Sequence, residues 1–328
     1  MRAFLLNEYG PADLLRLADI DQPVPADDEV LVRVRATSVN PYDWHHMRGE
    51  PYIARLMPGT LGLRKAKLNI LGADIAGVVE AVGREVTEFR PGDEVFAQVK
   101  QGGFAEYVCV REIHLAPKPK NLSFEEAAAV PLAANTALLG VRDQGQVQSG
   151  QKVLINGASG GVGTFAVQIA RAFGAEVTGV CGTRNLDLVR SIGAQDVIDY
   201  TKEDFPRNGR QYDLLLDIAG GHSGSACRKV LTSKGTYVAV GGPAGRWLQP
   251  AGHVFAALAA GPLVSQRVVM VDAVAGSSHK ANLMLLTEFI EAGKITPVID
   301  RRYSFEEIPA AITYQEQGHA SGKVVITV

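Results

Sequence analysis

The stretch "LINGASGGVGT", residues 154–164, decides the fold. An apolar run breaks into glycines and resumes as a helical pattern, which is how a strand turning tightly into a helix reads in sequence. Within it, "ASGGVG" (158–163) follows the predicted strand and opens the predicted helix. That context predicts dinucleotide binding, with Gly160 letting backbone approach a pyrophosphate and Gly163 letting the helix pack closely on the strand. Ser159, Gly160, Gly161, Val162 and Gly163 would then offer helix-start amides, and the positive end of the helix dipole, to the phosphates. Ala158 stands where such a loop is expected to have its first glycine, which requires only that this position avoid positive φ. The competing reading is a tight turn in an ordinary α/β protein.

Outward from the loop, strands and helices alternate. "KVLIN" (152–156) precedes a helix over 162–173, then come "EVTGVC" (176–181), a helix over 185–192, "DVIDY" (196–200), "YDLLLDIAG" (212–220), a helix near 223–231 and "GTYVAVG" (235–241). "RVVMVDAV" (267–274) and a helix over 280–293 extend the series. Apolar strands alternating with helices predict an α/β fold, a Rossmann-type doubly wound parallel sheet covered on both faces. The first third reads instead as β. "EVLVRVRATSVN" (29–40) alternates at period two, "DIAGVVEAVG" (74–83) is rich in β-branched residues, and "GGFAEYVCV" (102–110) looks like a further strand. Ser123 with Glu126 three residues on predicts a capped helix start. Near the end, "SFEEIPAAITYQEQG" (304–318) reads as a helix broken early by Pro309, followed by the strand "GKVVITV". The expected division is a β-barrel-like domain over 1–122, completed by 297–328, around a nucleotide domain over 123–296.

The 328 residues suffice for two cores, and 46% hydrophobic with 21% charged residues is the profile of a soluble globular chain. A net charge of −2 supplies no footprint for nucleic acid or an anionic membrane. Cys109, Cys181 and Cys227 are scattered and odd in number, which argues against a disulfide framework and fits a reducing cytoplasm. The N-terminus has Glu8 close behind a short apolar run and does not read as a signal peptide. The most apolar stretch, 253–271, is interrupted by Gly261, Pro262 and Arg267 and reads as buried core, since a membrane span needs about 20 mostly apolar residues.

Cofactor choice is read at the end of the strand after the loop. An NAD site presents Asp or Glu there for the ribose 2′-hydroxyl. Here the strand ends in Gly182, Thr183, Arg184 and Asn185, with no carboxylate. Small and hydroxyl-bearing residues leave room for a 2′-phosphate, and Arg184 can pair with it by a charge-assisted fork, so the expected cofactor is NADPH. The alternative is that Arg184 merely caps or solvates a helix start. Gly220 and Gly241 end successive strands at the carboxyl edge, where doubly wound sheets bind ligands.

With the loop placed, the chain resembles the medium-chain dehydrogenase/reductase superfamily over nearly its whole length. The matching pieces are "VNPYDWHHMRG" (39–49), "GADIAGVVEAVG" (72–83), "PGDEV" (91–95), "GGFAEYV" (102–108), "AAAVPLAANTAL" (127–138), the glycine loop and "SGKVVI" (321–326). The resemblance implies a co-chaperonin-like (GroES-like) catalytic β domain, formed from both chain ends, around a central Rossmann domain. Alcohol-oxidising members carry catalytic zinc. Where they have the first cysteine ligand this chain has Asn40, where they have a histidine it has Ala73, and the third ligand region, 130–135, offers none. His45 and His46 are adjacent and so point apart, and no metal site is expected.

Asn40, Asp43, Arg48 and Gly49 are similar to the zinc-free branch, the quinone oxidoreductases and enone reductases. That branch implies hydride transfer from NADPH to a quinone or an α,β-unsaturated carbonyl, acceptors that delocalise charge without a Lewis acid. It also implies a homodimer paired through the strand 267–274. By resemblance, Tyr52 would bond the substrate oxygen or donate a proton, and Tyr42 and His45 fall where zinc relatives relay protons. Asn40, Tyr42, His45 and Tyr52 are thus the catalytic candidates, with structural packing or solvation as the alternative role. Asp43 would pair with a basic residue such as Arg48 to fix the loop. Thr136 matches a threonine beside the nicotinamide, Tyr200 a residue near the adenosine phosphate, and Lys323 would reach the cofactor side. The alternatives are self-bonding for Thr136, burial for Tyr200 and solvation for Lys323. Residues 50–71, with Arg55, Arg64, Lys65 and Lys67, form either a lid over an apolar pocket or a plain surface loop. Two rivals remain: a metal-free NAD(P)-dependent alcohol dehydrogenase or ketone reductase, and a non-catalytic NADPH-sensing binding protein.

Overall fold

Backbone patterning and burial divide the chain into two units in this computed structural model, which describes residues 1–56, 61, 69–242, 265–271 and 279–328. The first unit comprises Met1–Asn135, Gly276–Gly293 and Pro297–Val328, and the second Thr136–Ala275 with Lys294–Thr296.

In the first unit, β1 (Arg2–Leu5) pairs with β2 (Arg16–Asp19) as a short antiparallel ribbon. The main sheet has seven strands: β3 (Glu29–Val39), β4 (Asp74–Val82), β5 (Glu94–Gln98), β6 (Tyr107–Arg111), β7 (Leu115–Pro117), β14 (Ile299–Ser304) and β15 (Lys323–Thr327). β3 is its hub, pairing antiparallel with β4, β6 and β15. The C-terminal strand therefore completes a sheet begun near residue 29, as the sequence predicts. Val30, Val32, Val34, Ile75, Val79, Val95 and Leu115 fill its interior, the apolar half of the period-two alternation.

Two of the helices in this unit, one capped by Ser123 and one beginning at His279, fall where sequence reading would place the nucleotide domain. α1 (Pro41–Arg48) follows β3 directly. α2 (Phe124–Ala128) starts at Ser123, whose hydroxyl accepts from the Glu126 amide at 3.2 Å while the Glu126 carboxylate accepts from the Ser123 amide at 2.8 Å, so the predicted cap forms. The helix α7 (His279–Glu291) is tied in by the Asn282 side chain donating to Asn135 at 2.7 Å and by Asn121 donating to the Ile290 carbonyl at 2.9 Å. The boundary thus falls after Asn135 rather than after 122, because these polar links, unlike the alternation of elements, join segments far apart in sequence. Pro309 begins rather than breaks its helix: it lies in the first turn of α8 (Ile308–Glu316), where its missing amide hydrogen has no intrahelical partner to lose.

The second unit is a six-stranded parallel sheet in the order β10-β9-β8-β11-β12-β13. Its strands are β8 (Lys152–Asn156), β9 (Glu176–Cys181), β10 (Asp196–Asp199), β11 (Tyr212–Asp217), β12 (Leu231–Ala239) and β13 (Arg267–Met270). The order reverses between β8 and β11, the switch point beside which doubly wound sheets bind ligands. α4 (Gly161–Ala172) follows β8, and α5 (Leu186–Ser191) and α6 (Gly224–Lys229) follow β9 and β11. Leu154, Val180, Ile198, Leu215, Tyr237 and Ala239 share one core across the strands. β12 begins four residues before the predicted start, with a register shift against β11 after Tyr212. β13 is an edge strand; residues 272–274 of that predicted strand, and all of 253–264, lie outside the described residues. Among the described residues no helix is long and apolar enough to cross a membrane.

Candidate functional site

The glycine loop divides its labour among its glycines. Gly157 takes the positive φ (+89°), one residue before the position where a glycine is missed, so Ala158 sits fully buried in ordinary backbone space and donates its amide to the Val180 carbonyl at 3.0 Å. A side chain on Gly163 would place Cβ 2.0 Å from the Gly157 carbonyl oxygen, so this residue alone lets α4 seat against the turn. A side chain on Gly160 would meet only that same oxygen, at an ordinary 3.6 Å. Gly160 is therefore dispensable to the protein's own packing, as expected of backbone left clear for a ligand. It is the N-cap of α4, with Gly161 and Val162 forming the first turn.

The neighbouring strand ends converge on this loop. Asn185 donates to the Ser159 hydroxyl at 3.0 Å, linking the loop to the turn Thr183–Asn185, in which Thr183 and Arg184 are exposed. Tyr200 is 63% exposed, with its phenol against Gly182, so it is not the buried strand end that the alternative reading supposed. At the switch point the buried Asp217 accepts from Asn156 at 2.7 Å, Gly220 at 2.9 Å and Tyr237 at 2.8 Å. Burial, reinforced by the Asp217 charge, pushes the Tyr237 phenol up, which keeps it a donor. This network pins Gly220 at φ +66°, with Asn156 also bonding its carbonyl, and Gly241 lies against the Ile218 carbonyl. Thr136 is buried in α3 (Pro131–Leu138).

In the first unit the polar side chains form a buried cluster. Asp74, fully buried, accepts on Oδ2 from Ser38 (2.5 Å), Asn40 (2.8 Å) and Lys323 (3.2 Å), and on Oδ1 from the Leu132 amide (2.7 Å). Lys323 is 3% exposed and also donates to Asn40 Oδ1, so it is not the solvated lysine of the alternative reading. Asp43 does not pair with Arg48. It accepts from the amides of Asn40 (2.8 Å) and Gly72 (3.0 Å), while Arg48 forms a two-pronged pair with Glu316 at 2.7 and 2.9 Å. The signal was present in "NPYD": Asn40 precedes a helix with Pro41 first and Asp43 at its third position, the arrangement of a capping box. Burial pushes Asp43 up to about 7 against the pull of its two amide donors.

The three ring candidates on this side are held separately. Tyr42 donates to the Lys100 carbonyl at 3.2 Å, and burial, with the Asp43 charge, pushes its phenol up to about 12. His45 turns Nδ1 to the Glu50 carbonyl at 3.0 Å and stacks on Trp44; burial drives it down to about 4, so it is neutral near pH 7. His46 faces the Tyr42 carbonyl instead, at 2.8 Å. Tyr52 lies under the Arg55 guanidinium, 4.7 Å from the ring centre, and Tyr9 contacts the same guanidinium at 4.3 Å. Of the predicted lid, Arg64, Lys65 and Lys67 lie outside the described residues.

Comparison with known proteins decides the family. The alcohol dehydrogenase GroES-like domain model matches residues 26–120 and the zinc-binding dehydrogenase model residues 192–326. The chain is 34% identical to the mitochondrial NAD(P)H oxidoreductase RTN4IP1 of Bos taurus, over all of this chain and 89% of that protein. It is 33% identical to the chloroplastic NADPH-dependent alkenal/one oxidoreductase of Arabidopsis thaliana, over 99% of this chain and 79% of the relative. The quinone oxidoreductase structure from Coxiella burnetii superposes with a TM-score of 0.87 at 28% identity, covering 100% and 99% of the two chains.

The chain belongs to the medium-chain dehydrogenase/reductase superfamily.

Within that superfamily it falls in the quinone oxidoreductase branch, with the GroES-like and Rossmann-type folds expected for it. One matching model is named for zinc, and the described residues at the positions where zinc relatives carry ligands do not fit that ion. Asn40 offers only an amide oxygen already taken by Lys323, Ala73 carries no ligand atom, and the Asn135 amide is spent on Gln98 and Asn282. Among the described residues no three His, Cys, Asp or Glu side chains are grouped to hold an ion. Sequence reading missed Asp74, Ser38, Asp199 and Asp217. Asp199 and Asp217 lie at strand ends, a positional hint, whereas only the folded chain brings Ser38 and Asp74 together with Lys323.

Proposed function

We propose that this chain is a zinc-independent, NADPH-dependent reductase of quinones or α,β-unsaturated carbonyls. The observation that carries the cofactor half is the contrast between Gly160, whose missing side chain the protein itself does not require, and Gly163, whose missing side chain it does. Ser159–Gly163, Thr183, Arg184, Asn185, Tyr200, Gly220 and Gly241 would hold the dinucleotide, with Thr136 toward its nicotinamide end. The relative from Arabidopsis is NADPH-dependent by name, and no carboxylate stands among residues 182–185, which favours the phosphorylated form.

Bound there, NADPH supplies a hydride, and conjugated acceptors take it without a Lewis acid because the resulting charge spreads onto an oxygen. The chain contributes orientation and a proton-bearing group at that oxygen. Tyr42 stays protonated at neutral pH, and Tyr52 is a further phenol on this side. Neutral His45, turned to the Glu50 carbonyl, fits an orienting role better than a proton relay from Tyr42. We also propose a homodimer paired through the edge strand β13; sedimentation as a monomer alone would refute it.

Stopped-flow oxidation of NADPH by a panel of quinones, enones and simple ketones, beside reduction of NADP+ by simple alcohols, tests the activity. Turnover of conjugated acceptors is expected. Failure with all of them, with turnover of simple alcohols, would overturn the proposal in favour of a metal-free alcohol dehydrogenase.

A further inference from the structure

We propose that Asp199 limits how strongly this chain prefers NADPH over NADH, by fixing the Thr183 hydroxyl and placing a negative charge beside it. The inference rests on the dinucleotide reading of the loop and refines it. Thr183 lies 20 residues after Gly163, at the place where an NAD site carries its acidic residue. The sequence has no carboxylate there, but the fold supplies one from the next strand. β10 runs parallel to β9 with Asp199 opposite Cys181, so its carboxylate emerges at the same sheet edge.

The contacts are specific. Asp199 Oδ2 accepts from the Thr183 hydroxyl at 2.6 Å, while Oδ1 accepts from the Thr201 hydroxyl at 2.7 Å and amide at 3.1 Å. These bonds, that from Thr183 foremost, hold the carboxyl down to about 2, so it is ionised at any working pH. A hydroxyl has one proton, and that of Thr183 is engaged within the protein, with Asp199 Oδ2 at 2.6 Å and Thr201 Oγ1 at 3.0 Å. The exposed oxygen of Thr183 therefore meets a ligand with lone pairs. It can accept from a ribose 2′-hydroxyl but has nothing to donate to a 2′-phosphate. The Asp199 charge acts in the same direction, repelling a phosphate dianion. Two cations oppose it: Lys202, whose ammonium lies 3.5 Å from Asp199, and the exposed Arg184 on the adjoining turn. The site thus combines attraction and repulsion, and the expected result is a moderate NADPH preference in which NADH remains a usable donor.

Asp199 is a positioning residue here, and its test is a ratio. Dissociation constants for NADPH and NADH are measured by nicotinamide fluorescence on the wild type, Asp199→Asn and Lys202→Ala. Removing the charge should raise the preference for NADPH by about tenfold, the order expected for one unit charge several ångströms from a phosphate near the surface. Lys202→Ala should lower it several-fold. A purely structural role would weaken both dinucleotides together and leave the ratio in place, which would overturn the proposal, as would a shift toward NADH in Asp199→Asn. Should Asp199→Asn fail to fold, an unchanged ratio in Lys202→Ala overturns it equally. A wild type that binds neither dinucleotide would refute the loop reading itself, which separates the two failures.

Discussion

The glycine loop of the second unit and the polar cluster of the first are built in opposite ways. The loop works through what its residues lack: Gly157 supplies a positive φ, Gly163 a close approach, and Gly160 open backbone. All three act within seven consecutive positions. The cluster works through what its side chains carry, and its members come from four separate segments, with Lys323 bonded to a residue 283 positions away. A site made of backbone is encoded locally, whereas one made of buried charge exists only once the sheet has closed.

The contrast can be broken most forcefully at the cluster. Lys323→Met would leave the fully buried Asp74 carboxylate with neutral donors only, and removing one partner of a buried pair costs roughly 3–5 kcal/mol. Urea unfolding should report that loss; a change within experimental error would show that the other three donors suffice.

The loop predicts a split outcome. Gly163→Ala drives a methyl into the Gly157 carbonyl and should cost about 2–3 kcal/mol of stability, with dinucleotide binding lost as the turn opens. Gly160→Ala should leave the melting temperature nearly unchanged while weakening dinucleotide binding by about tenfold, the effect of roughly one lost contact. Equal destabilisation by the two variants would erase the distinction between packing and ligand glycines.

The smallest effect is a pH dependence on the cluster's side. His45 has its folded pKa driven from 6.5 down to about 4 by burial, so the folded state resists protonation that the unfolded chain accepts. The stability it contributes is present above pH 6.5 and is lost as pH falls toward 4. Asp43, raised to about 7, acts with the opposite sign, gaining stability as pH falls through the same range. The difference between wild type and His45→Gln isolates the histidine. It should amount to about 1 kcal/mol, since the ring is only partly buried and water discounts the full shift. A pH-independent difference would show that the imidazole titrates normally.

Much of the second unit was legible because its strands are buried on both faces and read as apolar runs. Lys152–Asn156 and Glu176–Cys181 match their expected bounds, and α4 differs by one residue at each end. The side chains of the first unit were less legible, because their partners are remote in sequence. In sequence Asp43 reads as a partner for Arg48, five residues away on its own helix, but the helix start claims the carboxylate and Glu316 claims the guanidinium. For Lys323 the resemblance implies the cofactor side and its charge allows solvation, whereas in the fold its ammonium is buried against Asp74 and Asn40.

By itself the sequence determined the two architectures and the place of the glycine loop between strand and helix, because hydrophobic period and glycine spacing are properties of adjacent residues. It also determined that Ala73 stands where zinc-bearing relatives have a histidine, and alanine has no donor atom in any fold. Only the tertiary structure decided what surrounds those features. It set Asp199 beside a turn that has no carboxylate of its own, and it paired Lys323 with Asp74, because parallel and antiparallel strand register brings together residues whose distance along the chain says nothing of their distance in space.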